Sequence, residues 1–478
     1  MAKLASLLLL ALFLSYAIVG LAADEFDIHN GRGKQEEEEE GYEKEKEDMF
    51  LLQESKHVLK TEAGEMRIFV TPPHGGLLVE RPLHIGFLTM EPKTLFIPQY
   101  LDSSLIIFIR GGEARVGTVY KDDMVERHLK MGDVFRIEGG STFYLINMDE
   151  GQRLHVICSL DPNEGLGFDT FQAFLLAGHN SVLAGFDKET LAAAFNLTKE
   201  ELKDLMTSQS SEPIVYLTDH SPSMWKKFVQ LKAEEKLEHL RRVIPSGEDE
   251  EDIQELEQTT WSWRKLLNSV FPQKFLDNVR KKHRKLDSYN LYKRTPDFKN
   301  NYGWSLALEE SDYRPLRKSG VGIFYVNLTA GSMMAPHVNP RATEFSIVLR
   351  GSGSIQIVYP NGTSAASTQV KEGDVFFVPR YFPFCQIASR SGPMEFFGFT
   401  TSARKNRPQF LVGASSILHT MEGPELAAAF GMTEKHFRHI ANAQREGVIL
   451  PSPSAAPPDV KGKQKMPRTI YTNLFRFD

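Results

Sequence analysis

Gly331-Ser-Met-Met-Ala-Pro-His337-Val-Asn339-Pro-Arg-Ala-Thr-Glu344-Phe-Ser-Ile-Val-Leu-Arg-Gly351, followed by Gly373-Asp-Val-Phe-Phe-Val-Pro379, carries the strongest structural signal in this 478-residue chain. Its apolar runs are short, rich in β-branched and aromatic residues, and broken by glycine and proline. The same texture begins at Phe50-Leu-Leu52 and continues through Met66-Arg-Ile-Phe-Val70, Pro82-Leu-His-Ile-Gly-Phe-Leu88 and Leu105-Ile-Ile-Phe-Ile109. Runs of this length and composition read as strands of an all-β barrel or sandwich.

The segment has a partner in the first half of the chain. Ile109-Arg-Gly-Gly-Glu113 can be laid against Leu349-Arg-Gly-Ser-Gly353, Lys130-Met-Gly-Asp-Val-Phe135 against Lys371-Glu-Gly-Asp-Val-Phe376, and Leu191-Ala-Ala-Ala-Phe195 against Leu426-Ala-Ala-Ala-Phe430. Three matches in one order, about 240 residues apart, imply an internal duplication. Each copy has strands first and helices last. Residues 187–196 read as a short helix, Thr198-Lys-Glu-Glu201 as a capping box opening a second, Pro424 as a first-turn proline and Thr433 as a cap.

The ends and the middle differ from these modules. Residues 1–22, with Lys3 before a leucine-rich core and Gly20 and Ala22 at its close, read as a secretory signal peptide, so the mature protein is expected to be soluble. Residues 23–48 form an acidic leader, with nine acids against two lysines over residues 35–48, although the whole chain carries only −6. The first module is expected over 49–210, a helical and charged connector over 211–288, the second module over 289–450 and a proline-rich tail over 451–478. In the connector, Trp225, Phe228, Leu231, Leu237 and Leu240 recur at helical spacing, residues 246–252 form an acidic loop open to proteolysis, and the basic run 280–285 reads as a solvated face. Nothing in the composition suggests a nucleic-acid or membrane protein. Two cysteines, Cys158 and Cys385, are too few for a disulfide-built fold.

The spacing of Gly331, His337, Asn339, Glu344 and Gly351 resembles the first motif of the cupins, and residues 371–379 resemble the second. The resemblance implies two tandem jelly-roll barrels, a bicupin, with a metal-binding ancestry. Metal-binding cupins supply His-x-His, a Glu and a distant His; here Asn339 stands at the second His and Phe384 at the last. Gln99 falls where His337 does, so the first module lacks a donor set. A germin-type metal oxidase, the alternative enzymatic reading, needs those missing donors. No catalytic residue and no required cofactor are therefore expected.

Tyr289-Asn-Leu-Tyr-Lys-Arg294, Pro296, Phe298, Asn301-Tyr-Gly-Trp304, Pro336-His-Val-Asn-Pro-Arg-Ala342 and the Leu-Ala-Ala-Ala-Phe arms together resemble the vicilins, the 7S globulins of seeds, over about residues 49–449. That resemblance implies a homotrimer joined through helical arms, carried by the secretory pathway to the protein storage vacuole and degraded at germination. In the second barrel, His337 and Cys385, with Glu344 and Asn339 as lesser donors, are candidate ligands of copper, since imidazole and thiolate suit a soft metal. The opposing reading is a buried thiol beside a hydrogen-bonded core histidine. Arg341 is a candidate partner for a small carboxylate. Of three Asn-x-Ser/Thr sequons, Asn361 is on a turn and is the expected glycan site, Asn196 is intermediate and Asn327 lies in a strand.

Overall fold

The structure, a computed structural model, describes residues 49–70, 81–120, 123–147, 149–167, 171–178, 180–207, 212–217 and 288–452. The signal peptide, the acidic leader, the helical stripe, acidic loop and basic run of the connector, and nearly all of the C-terminal tail lie outside these residues. Among the described residues no helix is long and apolar enough to cross a membrane.

Local chemistry explains the repeated Lys-x-Gly-Asp-Val-Phe motif. The carboxylate of Asp374 accepts from the Lys371 amide at 2.9 Å, and that of Asp133 from the Lys130 amide at 2.8 Å. Gly373 and Gly132 take φ of +93° and +91°, where a side chain would be strained. Each turn launches a fully buried strand, Val375–Val378 or Asp133–Ile137.

The two modules match strand for strand. One sheet of the first runs in the order Ser55–Thr61, Gly64–Phe69, His84–Met90, Leu154–Leu160, Leu105–Gly111, Asp133–Ile137. Its counterpart runs Phe298–Asn300, Gly303–Leu308, Gly322–Leu328, Met394–Thr400, Glu344–Arg350, Val375–Val378. The second sheets correspond as well: Gln99 pairs with Phe143 and Leu175, as His337 pairs with Phe384 and Phe410. The expected equivalence of Gln99 and His337 is thus visible in the pairing. One match shifts by a residue. Gly112, not Gly111, takes the turn position of Gly351, with φ of +81° in both, because Gly111 is still paired in its strand. The first module also continues past residue 210: Ile214–Tyr216 joins the strand Thr94–Leu101.

Alternation divides the second module's sheets into two faces. In the strand Glu344–Arg350, Phe345 and Ile347 lie opposite Phe377, Phe399, Val375 and Phe397, and this face meets the first barrel. Phe108 of the first module stacks on Phe397 with ring centroids 4.3 Å apart. Glu344 and Ser346 occupy the other face, inside the barrel.

The modules also exchange their lead-in segments. Leu52 N donates to Val375 O at 2.8 Å and Phe377 N to Phe50 O at 3.0 Å, so the first module's beginning lies along the second module's edge strand. Reciprocally, Tyr289 and Asn290 pair with Val134 and Asp133, and Leu291 N donates to Gly132 O at 2.8 Å. Arg81 fastens the junction. It forms a bifurcated ion pair with Asp161 of the first module and donates to the carbonyls of Ser319 and Gly320 in the second.

The helical arms form where the caps predicted them. Lys188–Phe195 is capped by Asp187 and ends at Asn196 in the left-handed conformation. Thr198 and Glu201 exchange both bonds of the capping box before Lys199–Thr207. Pro424 begins Pro424–Ala429, and Thr433 caps Glu434–Ala441. Leu191 and Phe437 turn inward, whereas Phe195 and Phe430 stay 45% and 51% exposed.

Replacing Arg81 with alanine removes the donors to Oδ2 of the buried Asp161 and to the carbonyls of Ser319 and Gly320. The variant is expected to lose about 2 kcal/mol of stability, measured by denaturant titration, while Arg81→Lys recovers only part because one ammonium cannot span the same acceptors.

Candidate functional site

The inner wall of the second barrel is built from two facing strand groups. His337 sits in the two-residue strand His337–Val338, held against Phe384 on one side and Phe410 on the other. Its ring lies 4.1 Å and 5.3 Å from theirs, centroid to centroid. The Nδ1 atom is 2.8 Å from the carbonyl of Ala335. A carbonyl only accepts, so Nδ1 carries the proton and Nε2 the lone pair. Burial pushes the imidazole down to about 4, with the Ala335 bond opposing in part.

Asn339 follows on the same loop, its carbonyl accepting from the Tyr381 amide at 2.9 Å, with Tyr381 at φ +66°. The side-chain amide donates to Glu344 at 2.5 Å. Burial raises the Glu344 carboxyl to about 7 despite that bond. Asn339 Oδ1 is buried with no hydrogen-bond partner. Ser346 Oγ, two residues after Glu344 on the same face, and Gln386 Oε1, two after Phe384, are buried in the same condition. Neither Ser346 nor Gln386 was a sequence-level candidate. The signal that finds them is the two-residue period counted from Glu344 and from Phe384.

Cys385 does not join this wall. It follows Phe384 directly, so alternation turns it to the outside of the sheet, opposite Gln356 and packed with Ile387 and Met333. Its thiol lies 3.8 Å from Gln356 Oε1, and burial pushes it up to about 11, which keeps it protonated at neutral pH. The expected convergence of His337 and Cys385 is corrected by this one-residue parity. Arg341 is exposed and donates to the Lys405 carbonyl at 3.0 Å, away from the wall.

Among the described residues no three His, Cys, Asp or Glu side chains cluster as a metal set. With Cys385 turned away, His337 and Glu344 leave one imidazole and one carboxyl on the wall, which does not fit a resident copper ion that needs several converging donors. The first barrel is poorer still. Its interior holds the buried Gln99 and a cavity of about 20 Å³ walled by apolar side chains such as Met66, Phe96 and Phe143 together with Cys158. That space is the size of one water and offers it no polar partner. The Cys158 thiol, wholly buried, is pushed up to about 12.

The sequons separate by exposure. Asn361 is exposed on the turn between Ser352–Val358 and Ser364–Lys371, with its side-chain Oδ1 accepting from the amide and hydroxyl of Thr363. Asn196 is exposed at the end of its helix, and the Asn327 amide is engaged by Glu395 at 2.8 Å.

Residues 56–203 and 289–438 match the cupin family, one match per barrel. A vicilin-like seed storage protein of Arabidopsis thaliana is 53% identical over 425 residues, covering 86% of this chain and 82% of that one. The chain belongs to the vicilin-like cupins. A vicilin of Corylus avellana is 25% identical over 441 residues, 88% of each chain. The crystal structure of vicilin from that species superposes with a TM-score of 0.66 at 23% identity, covering 85% of this chain and 99% of that one. A Solanum melongena vicilin, whose structure is described as having different anionic ligands in structurally similar pockets, gives 0.67 at 19% identity, covering 85% and 98%. The relatives of this vicilin-like chain are seed storage proteins rather than enzymes.

The two buried ionisable groups pull stability in opposite directions with pH. Glu344 has a folded value near 7, above its ordinary 4.5, so its contribution is full below 4.5 and lost as pH rises through 7. His337 has a folded value near 4, below 6.5, so its contribution is full above 6.5 and lost as pH falls through 4. Each shift corresponds to about 3 kcal/mol. Glu344→Gln is therefore expected to stabilise the second barrel at pH 7.5 by up to that amount and to change little at pH 4.5. His337→Phe should gain at pH 4 relative to pH 7.5. Chemical denaturation at the two extremes checks both signs.

Proposed function

We propose that this seed storage protein acts as a homotrimer laid down in the protein storage vacuole and hydrolysed at germination as a source of amino acids. The observation that carries the reading is the 53% identity, sustained over 86% of the chain, to a vicilin-like storage protein, on a double barrel whose ancestral donor set is reduced. The arms support assembly. Phe186, Phe195 and Leu205 on the first arm and Met421, Phe430, Met432 and Ile440 on the second are each 40% exposed or more. Apolar surface grouped at both ends of one chain favours a head-to-tail contact, and such contacts close into rings. Three subunits per ring is what the resemblance to vicilins implies.

Passage through the secretory pathway follows from the signal-like first 22 residues, and Asn361, exposed with its Thr363 hydroxyl already turned to it, is the favoured glycan acceptor. The inner wall of the second barrel is a poor binding site for the anions described for the Solanum melongena vicilin. Its unpartnered atoms include two amide oxygens, which call for a donor, so water or a neutral hydroxyl compound suits it better than a carboxylate.

Accumulation in maturing seed and disappearance during germination, followed by quantitative mass spectrometry of dissected tissue, tests the storage role; a constant low level through both stages would overturn it. Phe430→Asp is expected to give a folded monomer by size-exclusion light scattering, since Phe430 stacks on Phe437 at 5.2 Å but stays half exposed. A trimer that survives the change would remove the arms from the interface. Enzymatic deglycosylation of protein from its natural tissue should shift its mass, and Asn361→Gln should abolish most of that shift.

A further inference from the structure

We infer that the segment 49–52 locks the second barrel, some 320 residues further along the chain, and that cutting the exposed link Gln53–Glu54 unlocks it. The inference rests on the storage reading for its purpose and on the exchanged lead-in segments for its mechanism.

Val375–Val378 is the last strand of its sheet, so one side of it would present unpaired backbone groups. The segment 49–52 covers that side. Leu52 N donates to Val375 O, Phe377 N to Phe50 O, and Leu51 bridges Phe376. Phe50 and Leu52 are 2% and 3% exposed, and the Phe50 ring packs against Phe377 and Phe382 at 5.7 Å and 6.1 Å. Immediately after this buried plug, Gln53 and Glu54 are exposed and belong to no strand. The ladder of the first module begins only at Ser55. The plug thus belongs in space to the second barrel and is joined to the first by an exposed two-residue link outside any strand.

Hydrolysis there adds water across the Gln53–Glu54 peptide bond, leaving a carboxylate on Gln53 and an amine on Glu54. Residues 49–53 then hold the edge without a covalent link to the first barrel, and the loss of effective concentration lets them leave. Departure bares the Phe377 amide and the hydrophobic seat of Phe50. A cut in the connector has a different result. Tyr289–Asn290 remains part of the second module and stays paired with Asp133 and Val134 of the first, with Asn290 Nδ2 donating to Asp133 at 2.9 Å. A nick at 246–252 therefore leaves both locks closed and the halves joined.

The test uses the full chain carrying a site-specific protease recognition sequence either between Leu52 and Ser55 or within residues 246–252, cut after folding. Hydrogen exchange followed by mass spectrometry reads the peptide spanning residues 374–379, and thermolysin digestion reads the second barrel. Cutting at the first position is expected to raise both rates roughly tenfold or more, cutting at the second to leave them unchanged, and a synthetic peptide of residues 49–53 to restore protection. Unchanged protection after the first cut, or equal acceleration from the connector cut, overturns the lock. Neither result bears on seed abundance, so the storage reading stands or falls separately.

Discussion

Each barrel ends one of its sheets on the strand entered through its Gly-Asp-Val-Phe turn, and the outer backbone groups of that strand are met from outside the barrel. The lead-in of the other module supplies the missing partner in both cases, residues 50–52 on Val375–Phe377 and residues 289–291 on Gly132–Val134. Because an open edge invites pairing with any extended chain, this exchange controls more than local stability. It fixes which faces of the barrels meet and brings Phe108 onto Phe397. It also delivers Arg81 to the carbonyls of Ser319 and Gly320. The duplicated halves form one body because each is incomplete at the same place.

Inside the second barrel a different constraint applies. The scaffold still points His337 and Glu344 inward, and their burial acts on protonation. The imidazole is held neutral and the carboxyl is biased toward its acid form, with Asn339 donating to it. The pair is therefore ordered as a hydrogen-bonded core rather than as a ligand set. Asn339 cannot replace a histidine as a nitrogen ligand, and the neighbouring Phe384 fills the remaining position with an aromatic ring against His337. A wall of this kind keeps the barrel shape with fewer donors than the cupin motif supplies, in a chain whose relative of 53% identity is a vicilin-like seed storage protein.

The arms obey a third economy. Short helices gain little stability alone, and here the caps at Asp187, Thr198 and Thr433 and one buried residue per helix, Leu191, Leu202, Ala427 and Phe437, hold them in place. What remains outside is apolar. The same Leu-Ala-Ala-Ala-Phe pattern buries little of its phenylalanine in either module, so the duplication has preserved an outward face as faithfully as it has preserved the core.

Local chemistry made a good part of this legible in the chain. The Lys-x-Gly-Asp turns, the capping box at Thr198, the proline at 424 and the repeat itself depend on neighbours within a few residues, and all formed where their residue types demanded. The equivalence of Gln99 and His337 was legible for the same reason, as a position in a repeated pattern. Other features depended on side-chain direction and long-range pairing. Whether Cys385 faces His337 turns on the parity of one strand position, and adjacent residues in a strand point to opposite faces. Ser346 and Gln386 enter the inner wall by the same rule, and the Gly112 register shift shows only in the strand pairing, where Gly111 is still opposite His155. The exchange of lead-in segments could not be read from residues 49–52 at all, because an apolar run specifies only that it will be buried. Which edge buries it was decided by the tertiary structure, which lays it along Val375–Phe377 of the other barrel.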